Sequence, residues 1–389
     1  MPIRNRFAEM LPEITAWRHD FHQHPELLYE VHRTAGKVAG LLRSFGCDEV
    51  VEGIGRTGVV GVIRGQATAS GRVVGLRADM DALPITEQTG AAHASKTPGL
   101  MHACGHDGHT AMLLGAAKYL AETRNFDGTV VVIFQPAEEG GAGGLAMVQD
   151  GLMDRWGIQE VYGMHNMPGL AAGKFAIRPG ALLASSDEIE ITVTGKGGHA
   201  AYPHEAVDTL LVASQIVVAL QSVVARNVDP LQSVVVSVCT MRTDSPAFNV
   251  IPHRVVMGGT VRTLDPEMRD LAEARIKALV TATASAYGAV AEVDYQRGYP
   301  VTMNTPENTG YAADAAEEVA GRVDRNTRPV MPGEDFSYML QARPGAYMFI
   351  GNGDTAMCHH PAYDFDDSII PAGCSWFATL AERRMPINR

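Results

Sequence analysis

This sequence predicts an α/β fold: a split domain with a central mixed sheet covered by helices, interrupted by an inserted ferredoxin-like domain. Three observations point there. The first half alternates apolar, strand-like runs with amphipathic helices, the pattern of an α/β domain. From about Ser186 to Gln296 the pattern changes to βαββαβ, the order of a ferredoxin-like two-layer sandwich. Cysteine, histidine and paired glutamate then recur just after strand ends on both sides of that stretch, where open α/β sheets place their sites. The expected boundaries are 1–185 and 297–389 for the split domain and 186–296 for the insertion.

Val73 to Ala78 reads as a buried strand that stops at Asp79-Met80-Asp81. A helix is expected from His109 to Glu122. Thr129 to Phe134 is a β-branched run ended by Pro136, just before Glu138 and Glu139. Glu160 to Met164 is a short strand running into His165. In the insertion, Asp187 to Thr194 alternates like a strand and Ala206 to Arg226 has helical periodicity. Gln232 to Thr240 and Arg254 to Arg262 follow as strands, Pro266 to Tyr287 as a helix, and Val290 to Tyr295 as a strand. Near the C-terminus, Ala346 to Ile350 is a strand leading by a Gly-rich turn to His359. The small sheet of the insertion has exposed edges and one helix-covered face, so a homodimer or higher homo-oligomer through it is expected.

A chain of 389 residues has material for two cores, and 46% hydrophobic with 20% charged residues is ordinary for a soluble globular protein. The formal net charge of −12 argues against a nucleic-acid partner, which needs a basic footprint. The five cysteines are odd in number and widely spaced, in a chain too long to need disulfide staples. Met1 to Asp20 carries charges throughout and has no apolar signal core. No apolar run is expected to reach the length of a membrane span. These readings imply a cytoplasmic protein with reduced thiols and no membrane partner.

Cys104 and His106, just before the expected helix, offer a thiol and an imidazole. A helix N-terminus is expected to lower the thiol pKa and favour a thiolate. Glu138 and Glu139 follow a strand and can point in different directions, so Glu139 can hold a cation while Glu138 acts as general base. Gly140, Gly141, Gly143 and Gly144 suggest that backbone and ligand approach closely there. His165 follows a short strand. In Cys358-His359-His360-Pro361 either imidazole can reach a metal, and Cys358 is a third option. Asp79 and Asp81 sit at a strand end, where a carboxylate can orient a ligating imidazole; for Asp81 a turn cap is the competing role. In the insertion, Gly195 to His204 is a Gly-flanked loop displaying His199, and His199, Asn249 and Arg262 can bind an anionic substrate or a developing oxyanion.

His102-Ala103-Cys104-Gly105-His106-Asp107-Gly108-His109, Gln135-Pro136-Ala137-Glu138-Glu139-Gly140, Met164-His165 and Phe248-Asn249-Val250-Ile251-Pro252 resemble the amidohydrolase branch of the aminoacylase and carboxypeptidase-G-type metallopeptidases. That branch includes hippurate hydrolases, N-acyl-amino-acid amidohydrolases and auxin-conjugate hydrolases. The resemblance runs from His22-Gln23-His24-Pro25-Glu26-Leu27 through Arg77 to Pro84 and Gly333 to Phe336, and ends at His359-His360-Pro361. It implies two divalent ions held by Cys104, His106, Glu139, His165 and His359, with Glu138 as base. It selects His359 over His360, because the family's ligand lies two positions before the proline. His199 becomes a transition-state group, supplied in related enzymes by the partner subunit's lid, and Asn249 and Arg262 become grips for a substrate carboxylate. Two departures stand out. His360 occupies a position where Asn or Ser is common, and Asp79 stands where distant relatives carry a metal-ligating histidine.

The expected reaction is hydrolysis of an N-acyl amino acid, hippurate-like or N-acetyl, to a carboxylic acid and a free amino acid. The expected ion is zinc or manganese, with cobalt and nickel also compatible with thiolate, imidazole and carboxylate donors. The rival enzyme is a dipeptidase using the same centre. The rival from another class is a non-catalytic metal-binding relative, against which Glu138 speaks, since holding metal does not need a second glutamate.

Overall fold

The structure is a computed structural model and describes residues 3–387. The chain divides into two compact units: 1–182, 303–328 and 335–389 form one, and 183–302 with 329–334 form the other. The insertion thus begins at Leu183 and runs to Thr302, three residues before and six beyond the bounds read from sequence, and it also takes 329–334.

The larger unit is built on an eight-stranded mixed sheet. Its order is Glu49–Ile54, Gly58–Arg64, Thr129–Gln135, Val73–Asp79, Glu160–Met167, Gly345–Gly351, Phe175–Ala176 and Val323–Asp324. The first two pairings are antiparallel, and the four central strands run parallel. Those central strands are Val-, Ile- and Phe-rich and buried on both faces, as parallel strands are. Helices Ile3–Gln23, His106–Thr123 and Ile370–Arg384 pack on one another and add Ile14, Leu113 and Trp376 to the core.

Two elements differ from the sequence reading in ways that move site residues. The helix expected from His109 begins at His106, because Gly105 takes the left-handed conformation (φ +92°) and starts the first turn there. His106 is therefore helical, and His109 lies one turn along the same side. The strand ending at Met164 in the sequence reading continues to Met167, because Gly345–Gly351 pairs alongside it and sets Phe349 opposite His165. His165 is in the strand, not after it.

The smaller unit has the antiparallel sheet Val234–Thr243, Arg254–Thr263, Asp187–Thr194 and Val290–Arg297, in that order, with helices Thr209–Asn227 and Pro266–Ala286. In the order of the chain this is βαββαβ with strand order 2-3-1-4, the ferredoxin-like topology. The first helix starts at Thr209, not Ala206, because the Asp208 carboxylate caps the N–H groups of Leu210 and Leu211. By length and hydropathy (1.6 over an 18-residue window) this helix could cross a membrane. Counting only uninterrupted apolar runs passes over it, since its breaks are uncharged serines and glutamines. Its Val212, Ile216, Leu220 and Val223 are buried in this unit's own core with Ile191 and Val255.

Asp187 is fully buried in this unit and accepts hydrogen bonds from Arg269 Nε (3.0 Å), Tyr295 Oη (2.8 Å) and the Gly298 N–H (3.1 Å). Truncation leaves the Arg269 guanidinium buried without its counter-charge. Asp187→Ala is expected to cost about 3–5 kcal/mol in denaturant unfolding; a loss under about 1 kcal/mol would show that Arg269 finds water instead.

Candidate metal centre

Four chain segments bring Cys104, His106, Glu138, Glu139, His165 and His359 of the larger unit together. Their donor atoms form overlapping groups, each with its atoms within 4.8 Å of one another: Cys104–His106–His165, Cys104–Glu139–His359 and His106–Glu138–Glu139. The first two share the Cys104 thiol. That is the arrangement two neighbouring cations need if one sulfur serves both.

The backbone has already oriented the imidazoles. His106 Nδ1 donates to the Asp81 carbonyl (2.8 Å) and His165 Nδ1 to the Asn166 carbonyl (2.6 Å). Each ring then turns the lone pair of Nε2 inward, as metal-ligating histidines do. His106 Nε2 is buried without a hydrogen-bond partner, and His165 Nε2 lies 3.4 Å from Cys104 Sγ. A buried imidazole nitrogen left with an empty lone pair direction is costly unless something accepts it. The donor set fits a divalent cation.

Asp81 holds the paired glutamates. Its fully buried carboxylate accepts the N–H of Glu138 through Oδ1 and of Glu139 through Oδ2, both at 3.0 Å. It thus orients His106 with its carbonyl and the glutamates with its side chain, a larger task than the cap or imidazole clamp read from sequence. Glu138 is almost buried, and its Oε1 lies 3.4 Å from the Asp335 N–H. The glycines after it let the loop fold tightly at Gly141, Gly143 and Gly144. A Cβ at Gly143 would meet the Pro136 carbonyl oxygen at 1.7 Å, so the chain folds back on itself there.

Of the two C-terminal imidazoles, His359 reaches the centre: its Nε2 is 3.2 Å from Glu139 Oε1. It does so from a left-handed backbone (φ +68°), costly for histidine and held by its N–H on the Ala103 carbonyl (2.7 Å). The exposed His360 instead accepts the Ala362 N–H at Nδ1 (3.0 Å). Asp79 is tied to Arg77 Nη1 (2.7 Å) and His109 Nδ1 (2.6 Å), with Oδ2 3.8 Å from His106 Nε2.

Electrostatics corrects one expectation. Cys104 hydrogen-bonds Cys358, is buried, and faces Glu139 and Glu138; together these hold its thiol well above the ordinary range. Burial alone would depress the His106 imidazole, but Asp79 and Asp81 raise it well above its usual value. The cluster is rich in negative charge that a divalent cation would balance.

His199, Asn249 and Arg262 belong to the other unit. His199 is exposed in a short ladder with Val250, and the Ala200 N–H bonds the Asn249 carbonyl (2.9 Å), so these two lie together. Arg262 is half-buried on the Arg254–Thr263 strand opposite Val235. The sequence reading passed over Asn166 and His109. Asn166 Nδ2 donates to the Cys104 carbonyl (2.6 Å), and Tyr363 Oη donates to its Oδ1 (2.7 Å). The helical spacing of His106 and His109 was the signal available for the second.

Residues 75–383 match the model of peptidase family M20/M25/M40. The hippurate hydrolase of Campylobacter jejuni is 43% identical over 98% of this chain and 99% of its own. An N-acetyl-L-cysteine deacetylase of Bacillus subtilis is 40% identical over 95% of this chain and 88% of its own. A crystal structure described as a dinuclear metal-binding M20 peptidase of Bacillus subtilis superposes with TM-score 0.83 at 33% identity, covering 97% of this chain and 99% of that one. With matches of this extent, the chain belongs to the M20/M25/M40 family of metal-binding peptidases and amidohydrolases.

Proposed function

We propose that the protein is a metal-dependent amidohydrolase that cleaves N-acyl amino acids, hippurate-like or N-acetyl, to a carboxylic acid and a free amino acid. The observation that carries this reading is the pair of donor groups sharing Cys104, with a separate carboxylate, Glu138, at their margin. The named activities of the hippurate hydrolase and deacetylase relatives support the substrate class.

Cys104, His106 and His165 would hold one cation and Cys104, Glu139 and His359 the other. Bound divalent ions supply polarisation of the acyl carbonyl and lower the pKa of water to about 7. Glu138 takes a proton from the attacking water and returns it to the leaving amine, the work of a general base and then acid. Asp81 keeps Glu138 in place while this happens. His199 is assigned to the developing oxyanion, and Asn249 and Arg262 to the substrate carboxylate, on the family resemblance, with which their donor chemistry is compatible.

Zinc or manganese is the proposed ion, supported by the mixed sulfur, nitrogen and oxygen donors; cobalt and nickel suit the same set. A homodimer through the inserted unit belongs to the same reading, supported by exposed Leu211, Val218 and Val224 on the Thr209–Asn227 helix. Five free cysteines support a reducing, cytoplasmic setting.

The direct test is amine release from N-benzoylglycine and N-acetylmethionine by chelator-stripped protein, before and after divalent metal is restored. Metal-dependent release is expected; release from dipeptides alone would move the reading to a dipeptidase. Glu138→Gln should bind metal normally and lose ~10²–10⁴-fold in kcat, and near-normal turnover would remove Glu138 from the base role. Cys104→Ala, by deleting the shared sulfur, should weaken both cation positions in a metal titration. Unchanged stoichiometry and affinity would refute ligation there.

A further inference from the structure

We propose that Asp79 and His109 are positioning residues, forming a hydrogen-bonded relay that fixes the Cys104–His165 side of the metal centre through Asn166. The inference rests on the two-cation reading above and adds a division of labour to it.

Geometry sets the relay's polarity. The Asn166 backbone N–H points at His109 Nε2 (3.0 Å), and an amide N–H can only donate. His109 Nε2 must therefore accept, which puts the ring proton on Nδ1, facing Asp79 Oδ1 at 2.6 Å. Asp79 takes Arg77 Nη1 on its other oxygen at 2.7 Å. The Thr110 hydroxyl holds the Asp79 carbonyl at 2.7 Å, so helix and strand are pinned together at this point. Asp79, His109 and Asn166 are at most 1% exposed, which leaves water no access to substitute for a lost partner.

At its far end the relay sits on two donors at once. Asn166 follows His165 in the strand, and its carbonyl takes the His165 Nδ1 proton (2.6 Å) while its side-chain amide holds the Cys104 carbonyl (2.6 Å). Movement of the Asn166 peptide would therefore turn the His165 ring and shift Cys104 together. Glycine at 105 lets the loop lie this close: a Cβ there would meet Asn166 Nδ2 at 2.3 Å. The other side of the centre is held by different groups, the Asp81 carboxylate on the Glu139 N–H (3.0 Å) and the Ala103 carbonyl on the His359 N–H (2.7 Å). Asp79 thus serves the centre from behind an imidazole, at the position where distant relatives place an imidazole on the metal itself.

The test is Co²⁺ titration of the chelator-stripped full chain, followed by calorimetry and by thiolate charge-transfer absorption. Partners of this kind are worth roughly 10–100-fold in metal affinity. His109→Leu is expected to weaken the binding step that uses His165 by about that factor, and to weaken the other, which the relay reaches only through the shared Cys104, by clearly less. His109→Gln, whose amide can accept from Asn166 and donate to Asp79, should recover most of the loss. Two unchanged steps in His109→Leu, an equal fall in both, or a folded glutamine variant no better than leucine would each overturn the relay. If His109→Leu does not fold, Asp79→Asn is the milder variant: a loss larger in one step than in the other supports the proposal, and unaltered or equally weakened binding in both overturns it. Wild-type protein that takes up no Co²⁺ would overturn the two-cation reading and the relay with it, whereas two ions bound equally well by wild type and variants sinks the relay alone.

Discussion

The centre depends on one buried carboxylate. Asp81 stands just past the end of the Val73–Asp79 strand and receives the N–H groups of Glu138 and Glu139, which follow the neighbouring strand Thr129–Gln135. Its carbonyl receives the His106 ring from the start of the next helix. Three segments distant in sequence are thereby fixed by one residue, and two of them carry candidate ligands. A peptide N–H pair is a strong and directional donor set, and in a site this dry its loss has no replacement. Everything that the glutamates can do, whether holding a cation or moving a proton, presupposes that they are aimed.

Around that clamp the cluster is deliberately out of charge balance. Asp79, Asp81, Glu138 and Glu139 share one buried region with two thiols, and this crowding, with burial and the Cys358 contact, holds the Cys104 thiol above its usual range, while the carboxylates hold the His106 imidazole above its own. An assembly of this sort is poorly stable for its own sake and makes sense as a receptacle for positive charge. The left-handed backbone at His359 belongs to the same account, as local strain held in place by the Ala103 contact where the ring meets Glu139.

Much of this was legible in the chain itself. Val73 to Ala78 and Thr129 to Phe134 announce buried parallel strands by their β-branched runs, and metal-binding side chains after them announce a site. The six residues that converge in the structure are those the sequence singles out for metal and base. What stayed hidden were partners, because sequence displays a donor without its acceptor. Nothing local in Asn166 or His109 says that one will accept from the other across 57 positions. The expectation of a lowered Cys104 pKa failed for a related reason: it weighed the helix that follows and could not weigh the Cys358 thiol, the burial and the carboxylates that other segments bring. The glycines after Glu139 were ambiguous in a different way, since a close approach of backbone to backbone and of backbone to ligand select the same residue.

The order of the sheet carries a consequence for how the molecule is made. The Gly345–Gly351 strand lies inside the sheet, beside Glu160–Met167, yet the whole ferredoxin-like segment is synthesised between the two. During translation the insertion can complete all four of its strands while the larger unit still lacks an interior one. Its neighbour then waits with an unsatisfied edge, rich in Val, Tyr and Met, until roughly the last tenth of the chain has left the ribosome. The nascent enzyme is most vulnerable to aggregation in that interval, and premature termination between Thr302 and Gly345 would release a folded insertion attached to an open sheet.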